Sequence, residues 1–279
     1  MLRQRILVAA VFLPCFVWMI FTPNPLFFLL FAVAGLAATV LEVQALVRQR
    51  GVPFHGFVAL PAVVLMGLVS AFPAWLPKES AFSTTTALFI ILIAVLLVLS
   101  LQAIVAGATE SSFPAIAFTF FAVALLGGVG SFLIRLRLLP DGSWWVALLF
   151  GFNWLYDAGA YFTGKRFGRH KLAPTISPKK TVEGFVGGLV VNVIAAGAVH
   201  ATLLPATMGF DLPAFLLLAG VLGVLAQVGD LTESILKRWS GSRHSAGVIP
   251  GHGGILDKID SAFFTAPLLY VVALWVSGT

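Results

Sequence analysis

The chain has 279 residues, 59% of them hydrophobic and only 10% charged, with a formal charge of +6 and a mean hydropathy of +1.02. A soluble domain of this length carries roughly a quarter of its residues as charges, so the composition excludes one and indicates an all-α, polytopic membrane protein. The positive charge is not that of a nucleic-acid binder, because no basic stripe lies on a soluble domain, and the lone Cys15 excludes both an intrachain disulfide and a cysteine metal cluster.

Nine apolar segments are predicted, at 6–22, 26–47, 56–76, 87–106, 114–134, 144–163, 184–204, 213–236 and 260–276. Runs of about 20 apolar residues are long enough to cross a bilayer. The opening MLRQR and the apolar run behind it resemble a signal peptide, but no small-residue cleavage site follows, so a retained first helix is expected. The breaks between segments carry proline, glycine or charge: PNP at 23–25, RQRGVP at 48–53, PKES at 77–80, ATESS at 108–112 and RLRLLPDG at 135–142. No internal repeat supports an inverted-repeat transporter.

Nine helices place the termini on opposite sides. With a cytoplasmic N-terminus, 14 of the 17 Lys and Arg residues fall on the cytoplasmic side, leaving only Lys78, Arg135 and Arg137 on the other. The positive-inside rule therefore gives N-in and C-out in a bacterial-type inner or plasma membrane. In that arrangement Glu42, Asp157, Asp230, Asp257 and Asp260 all come to the cytoplasmic leaflet, although their helices run in opposite directions. The expected division is residues 1–140 as a scaffold of transmembrane helices, open to lipid or to oligomer contacts, and 141–279 as the part with a cytoplasm-facing catalytic site.

Residues 157–188 form the first polar stretch, DAGAYFTGKRFGRHKLAPTISPKKTVEGFVGG. The 164–183 loop holds six Lys and Arg residues together with Ser177 and Thr181. Ser177-Pro178 reads as a turn, Lys179 and Lys180 as cations, and Thr181-Val182-Glu183 as a helix start. A helix N-terminus beside hydroxyls and ammonium groups suits phosphate. A loop that only anchors to anionic headgroups would also carry such charge.

The densest polar stretch is 227–261, QVGDLTESILKRWSGSRHSAGVIPGHGGILDKIDS. It gathers Asp230, Glu233, Asp257 and Asp260, several cations, two histidines and a glycine-rich turn. Carboxylates in membrane helices are costly and mark function. Asp230, Glu233, Ser234 and Lys237 fall at i, i+3, i+4 and i+7 and share one helix face, as do Asp257 and Asp260 at i, i+3. Two acidic pairs around a basic, glycine-rich loop suit a divalent cation held against phosphates. The glycines of 250–254 let backbone N–H groups face an anion. Each element also has a structural explanation: a short Gly-rich connection, an ordinary loop histidine at His252, a surface Asp257-Lys258 pair, or Asp230 buried against Lys237.

Taken together, these residues resemble the integral-membrane phosphatidate cytidylyltransferases (CDP-diacylglycerol synthases). The S-x-x-K-R of Ser234, Lys237 and Arg238 is followed by the P-x-H-G-G-x-x-D-x-x-D of Pro250, His252, Gly253, Gly254, Asp257 and Asp260. The preceding GDLxES from Gly229 to Ser234 matches as well. So does the upstream motif running through Asp157, Gly159, Tyr161, Gly164, Phe167, Gly168, Ser177, Pro178, Lys179, Lys180, Thr181, Glu183 and Gly184. The likeness is dense over about 140–279. Earlier it extends only to general hydropathy and the position of Glu42. Two departures stand out: Arg243-His244 replaces the family's usual Lys-Asp, and Asp257-Lys258 its Asp-Arg. Arg and Lys differ in donor geometry, and His244 removes a carboxylate.

The resemblance implies that CTP and phosphatidic acid react to give CDP-diacylglycerol and pyrophosphate. On this reading Asp230, Asp257 and Asp260 hold Mg²⁺, the last directly or through water. Lys179, Lys180, Lys237 and Arg238 hold phosphates. Ser177, Thr181, Ser234, His252, Gly253 and Gly254 orient substrate, and Asp157 and Glu183 are further candidates. The family also implies a second, monovalent ion such as K⁺, and a homodimer is compatible with it. The competing readings are a CTP-dependent lipid kinase, a cytidylyltransferase of another lipid, and an ion-coupled transporter.

Overall fold

A computed structural model describes residues 2–71, 83–107, 109–242 and 254–277. Lys78, Arg243, His244, Pro250, His252 and Gly253, singled out above, lie outside the described residues. Ten α-helices account for most of the chain: α1 (Leu2–Phe21), α2 (Leu26–Gln49), α3 (Gly56–Ala71), α4 (Thr84–Ala106), α5 (Ser112–Val123), α6 (Ser131–Arg137), α7 (Gly142–Phe167), α8 (Val182–Thr202), α9 (Leu212–Ser240) and α10 (Leu256–Ser277). A π-helical turn, Ala124–Val129, joins α5 to α6 as one continuous apolar rod.

Over the described residues, each of the nine apolar segments falls on a helix. Six described helices are long and apolar enough to cross a bilayer: Leu26–Gln49, Thr84–Ala106, Ser112–Arg137, Val182–Thr202, Leu212–Ser240 and Leu256–Val276. Gly56–Ala71 and Phe12–Phe21 are apolar but shorter. The protein is thus an integral membrane protein built on helices, as a low-dielectric solvent demands.

The expectation of an all-helical chain needs one correction. Strands β1 (Lys171–Ala173) and β2 (Ser177–Thr181) pair antiparallel, with Ala173 opposite Ser177 and Lys171 opposite Thr181. Ser177-Pro178 is accordingly strand, and the turn falls at 174–176, where Ile176 N–H donates to the Ala173 carbonyl at 3.2 Å. A two-stranded ribbon has a free edge, so Pro178 and its missing N–H are tolerated there. The helix start was read correctly: the Thr181 hydroxyl caps α8 by accepting from Gly184 N–H at 3.1 Å.

The chain divides into two compact units. The first comprises Met1–Leu138 and Leu236–Lys258. Its organising helix is α2, which buries Leu29, Leu36, Val40, Val43 and Val47 along one stripe and packs against α3. The second comprises Leu139–Ile235 and Ile259–Thr279. There α7 and α8 pack along much of their length, and glycine permits it. A Cβ on Gly184 would lie 2.8 Å from the Ala160 carbonyl oxygen and 3.2 Å from the Gly164 Cα, closer than side chains tolerate.

Candidate active site

In the second unit, α9 brings Asp230 and Glu233 to one face, and α10 meets them with Asp260. One carboxylate oxygen from each of the three lies within 4.8 Å of the others. Glu233 is 6% exposed and Asp260 9%, whereas Asp230 is half-buried. At an effective dielectric of about 20, two unit charges at that separation repel by about 3.5 kcal/mol. Three such groups are accommodated by compensating cations or by a proton held on one of them.

One cation comes from the hairpin. Lys180, on β2, forms an ion pair with Asp230, its side chain 20% exposed. The hairpin is held at its base by Glu183 in the first turn of α8. The Glu183 carboxylate accepts from Arg169 N–H at 3.0 Å, from His170 N–H at 3.2 Å, and meets His170 Nδ1 at 2.6 Å. Glu183 therefore shapes the loop that presents Lys180.

The approach of α10 to α9 depends on Gly229, the residue before Asp230. A Cβ there would stand 2.7 Å from the Asp260 carbonyl oxygen and 2.8 Å from the Ser261 Cα. Real Cβ atoms do not come so near, so glycine is what allows the two backbones, and the carboxylates they carry, to converge. Hydrogen bonds fix the helices around this point. Ser261 Oγ donates to the Ala226 carbonyl at 3.1 Å, Tyr156 Oη to Gln227 Oε1 at 3.0 Å, and Asn153 Nδ2 to Thr265 Oγ1 at 3.0 Å. Asp260 Oδ1 accepts from Ser261 N–H at 2.6 Å.

Other expected site residues are distributed as follows. Asp157 is exposed on α7, beside buried Tyr156. Ser177 is half-buried and Lys179 exposed on β2, and Thr181 is buried as the α8 cap. Ser234 is half-buried on α9, one residue past Glu233, and Arg238 is exposed near the end of that helix. Asp257 and Lys237 belong to the first unit, where Lys237 Nζ lies 2.6 Å from Asp257 Oδ1. Gly254 is buried just before α10. Of the three carboxylates expected to bind metal, Asp230 and Asp260 converge, and Glu233 joins them. The sequence signal for Glu233 was its i+3 spacing from Asp230.

The family model of the cytidylyltransferase family matches residues 3–276. The chain belongs to the cytidylyltransferase family. Among its relatives, the phosphatidate cytidylyltransferase of Bacillus subtilis (strain 168) is 37% identical over 218 residues, covering 76% of this chain and 79% of the relative. The phosphatidate cytidylyltransferase of Staphylococcus saprophyticus is 39% identical over 167 residues, covering 59% of this chain and 62% of the relative. That of Staphylococcus aureus (strain COL) is 39% identical over 165 residues, covering 58% and 61%. Within this cytidylyltransferase fold, a cluster of three carboxylates and a lysine is the arrangement suited to a cation bound to phosphate oxygens.

Proposed function

We propose that the protein transfers the cytidylyl group of CTP to phosphatidic acid, giving CDP-diacylglycerol and pyrophosphate for phospholipid synthesis. The observation that carries this reading is the convergence of Asp230, Glu233 and Asp260 beside Lys180 in a membrane-embedded member of this family. A phosphate monoester is already an anionic nucleophile, so no strong general base is needed. Its oxygen forms a bond to the α-phosphorus of CTP, the bond from that phosphorus to the bridging oxygen of the β-phosphate breaks, and pyrophosphate leaves with the electron pair. The barrier lies in bringing polyanions together.

The donor set, three hard oxygen ligands, fits Mg²⁺. Asp230, Glu233 and Asp260 would hold it, and its chemistry there is to neutralise charge on the triphosphate. Lys180 would exchange its carboxylate partner for a phosphate oxygen, with Lys179, Ser177 and Thr181 on the same hairpin orienting substrate. The assignment of Ser234, Lys237, Arg238, His252, Gly253, Gly254 and Asp257 to the same reaction rests on the sequence motif. A monovalent second ion and a homodimer rest on family resemblance alone.

The assay that separates the readings uses CTP labelled at the α- or the γ-phosphate, Mg²⁺, and either phosphatidic acid or diacylglycerol. The expected result is α-label in lipid, with one pyrophosphate released per turnover, on phosphatidic acid only. Transfer of γ-label to diacylglycerol would identify a lipid kinase instead.

We further propose nine membrane crossings with a cytoplasmic N-terminus, supported by the 14 of 17 basic residues that this orientation places inside. In a Cys15→Ser background, Arg169→Cys should label from the cytoplasmic side and Leu203→Cys from the opposite one. The reverse pattern overturns the orientation.

A further inference from the structure

Glu42 is a charged side chain that the fold buries almost completely, 1% exposed on α2. Its Oε1 accepts from Ile255 N–H and its Oε2 from Leu256 N–H, each at 2.8 Å, across 213 and 214 positions of sequence. Helix α10 begins at Leu256. The first N–H groups of a helix have no partner within it, and a carboxylate there also meets the positive end of the helix dipole. A cap is normally the local Ser, Thr, Asp or Asn; here it comes from another helix in the opposite third of the chain.

The next residue after these two donors is Asp257, which pairs with Lys237 at 2.6 Å. The end of α9 that carries Lys237 is closed by Gly241 at φ +79°, by Ser242 N–H donating to the Lys237 carbonyl at 3.0 Å, and by Trp239 against Phe118 with ring centroids 4.3 Å apart. Within the first unit, then, residues of the first 138 hold both ends of the segment that joins α9 to α10. A buried carboxylate is a poor device for stability alone, since apolar residues of like volume usually serve as well. Two hydrogen bonds to successive N–H groups do what apolar packing cannot: they fix both the height and the rotation of a helix start.

We infer that Glu42 is a positioning residue for the reaction, setting the first turn of α10 so that Asp257 meets Lys237 in its working orientation. The inference rests on the proposed function, in which Lys237 and Asp257 serve catalysis. Glu42→Gln keeps the shape but turns an amide NH₂ toward one of the two donors. With a misplacement of order 1 Å, turnover is expected to fall by about 10- to 100-fold, with the KM for phosphatidic acid unchanged.

The test is a double-mutant cycle with Lys237→Gln on detergent-purified, monodisperse protein. If Glu42 acts through the pair, the double mutant is no slower than Lys237→Gln within about threefold, because interacting residues are non-additive. Arg137→Met serves as the control. Arg137 is buried in the same unit and donates to the Thr22 carbonyl at 2.6 Å, so its loss should lower Tm yet leave turnover near normal. Should Glu42→Gln yield no folded protein, the cycle is run on Glu42→Asp, which keeps the charge and shortens the reach. Additive losses, or normal turnover in a folded Glu42 variant, overturn the inference. Normal turnover in Lys237→Gln alone would instead overturn the functional assignment of the pair.

Discussion

In the first unit, two buried or half-buried acids each have their donors. Glu42 takes two backbone N–H groups, and Asp257 takes the Lys237 ammonium. In the second unit like charges crowd together: three carboxylates converge within 4.8 Å, and Lys180 pairs with one of them, Asp230. Matched charge fixes geometry, as a buried pair specifies one arrangement of its helices. Clustered like charge is a standing repulsion, and a fold keeps it where a cation is to be held. Helix α10 contributes an acid to each cluster, Asp257 to one and Asp260 to the other, so residue type and helix do not distinguish them. Their partners do.

The comparison is broken most directly by neutralising one acid in each unit. Asp230→Asn removes a carboxylate from a repelling trio, so turnover should fall by orders of magnitude while Tm holds or rises. Asp257→Asn removes the carboxylate charge paired with Lys237, so Tm should fall together with turnover. Thermal unfolding of the two purified variants, read beside the cytidylyl-transfer assay, checks the sign. A Tm loss in Asp230→Asn equal to that in Asp257→Asn would erase the distinction.

A smaller effect is expected from Gly229→Ala. Its new Cβ meets the α10 backbone at 2.7 Å and must move Asp260 away from Asp230, so turnover should fall by about 10- to 100-fold and the Mg²⁺ concentration for half-maximal rate should rise. A change in maximal rate with no change in Mg²⁺ dependence would mean that the close approach does not set the cluster. Lys180→Gln should act in the opposite sense on metal. It unmasks Asp230, so Mg²⁺ affinity should rise while the KM for CTP increases, measured by titrating each against initial rate.

The smallest effect is expected at His244, outside the described residues. If Asp230, Glu233 and Asp260 suffice for the cation, restoring the family's acid with His244→Asp changes turnover only a few-fold. An inactive natural protein revived by Arg243→Lys with His244→Asp would show that this position is indispensable.

Much of this site was legible because carboxylates are rare and costly in apolar helices, so each of Asp230, Asp257 and Asp260 stood out against hydrocarbon. Spacing showed which acids share a helix face. It did not show how α9 and α10 meet, and that meeting is what brings Glu233 to Asp230 and Asp260. The hairpin was illegible for a different reason: strands of three and five residues, one containing Pro178, are too short for an alternating pattern. Glu42 was visible as an acid near a helix end, but its partners are backbone groups more than 200 positions away, and backbone N–H groups carry no sequence signal.

The most direct test of the central assignment is Mn²⁺ binding by electron paramagnetic resonance, with Mn²⁺ as a stand-in for Mg²⁺, on wild type, Glu233→Gln and Asp257→Asn without nucleotide. One bound Mn²⁺ is expected in wild type and in Asp257→Asn, and a loss of affinity of at least about tenfold in Glu233→Gln. Retained binding in Glu233→Gln together with its loss in Asp257→Asn would contradict the account.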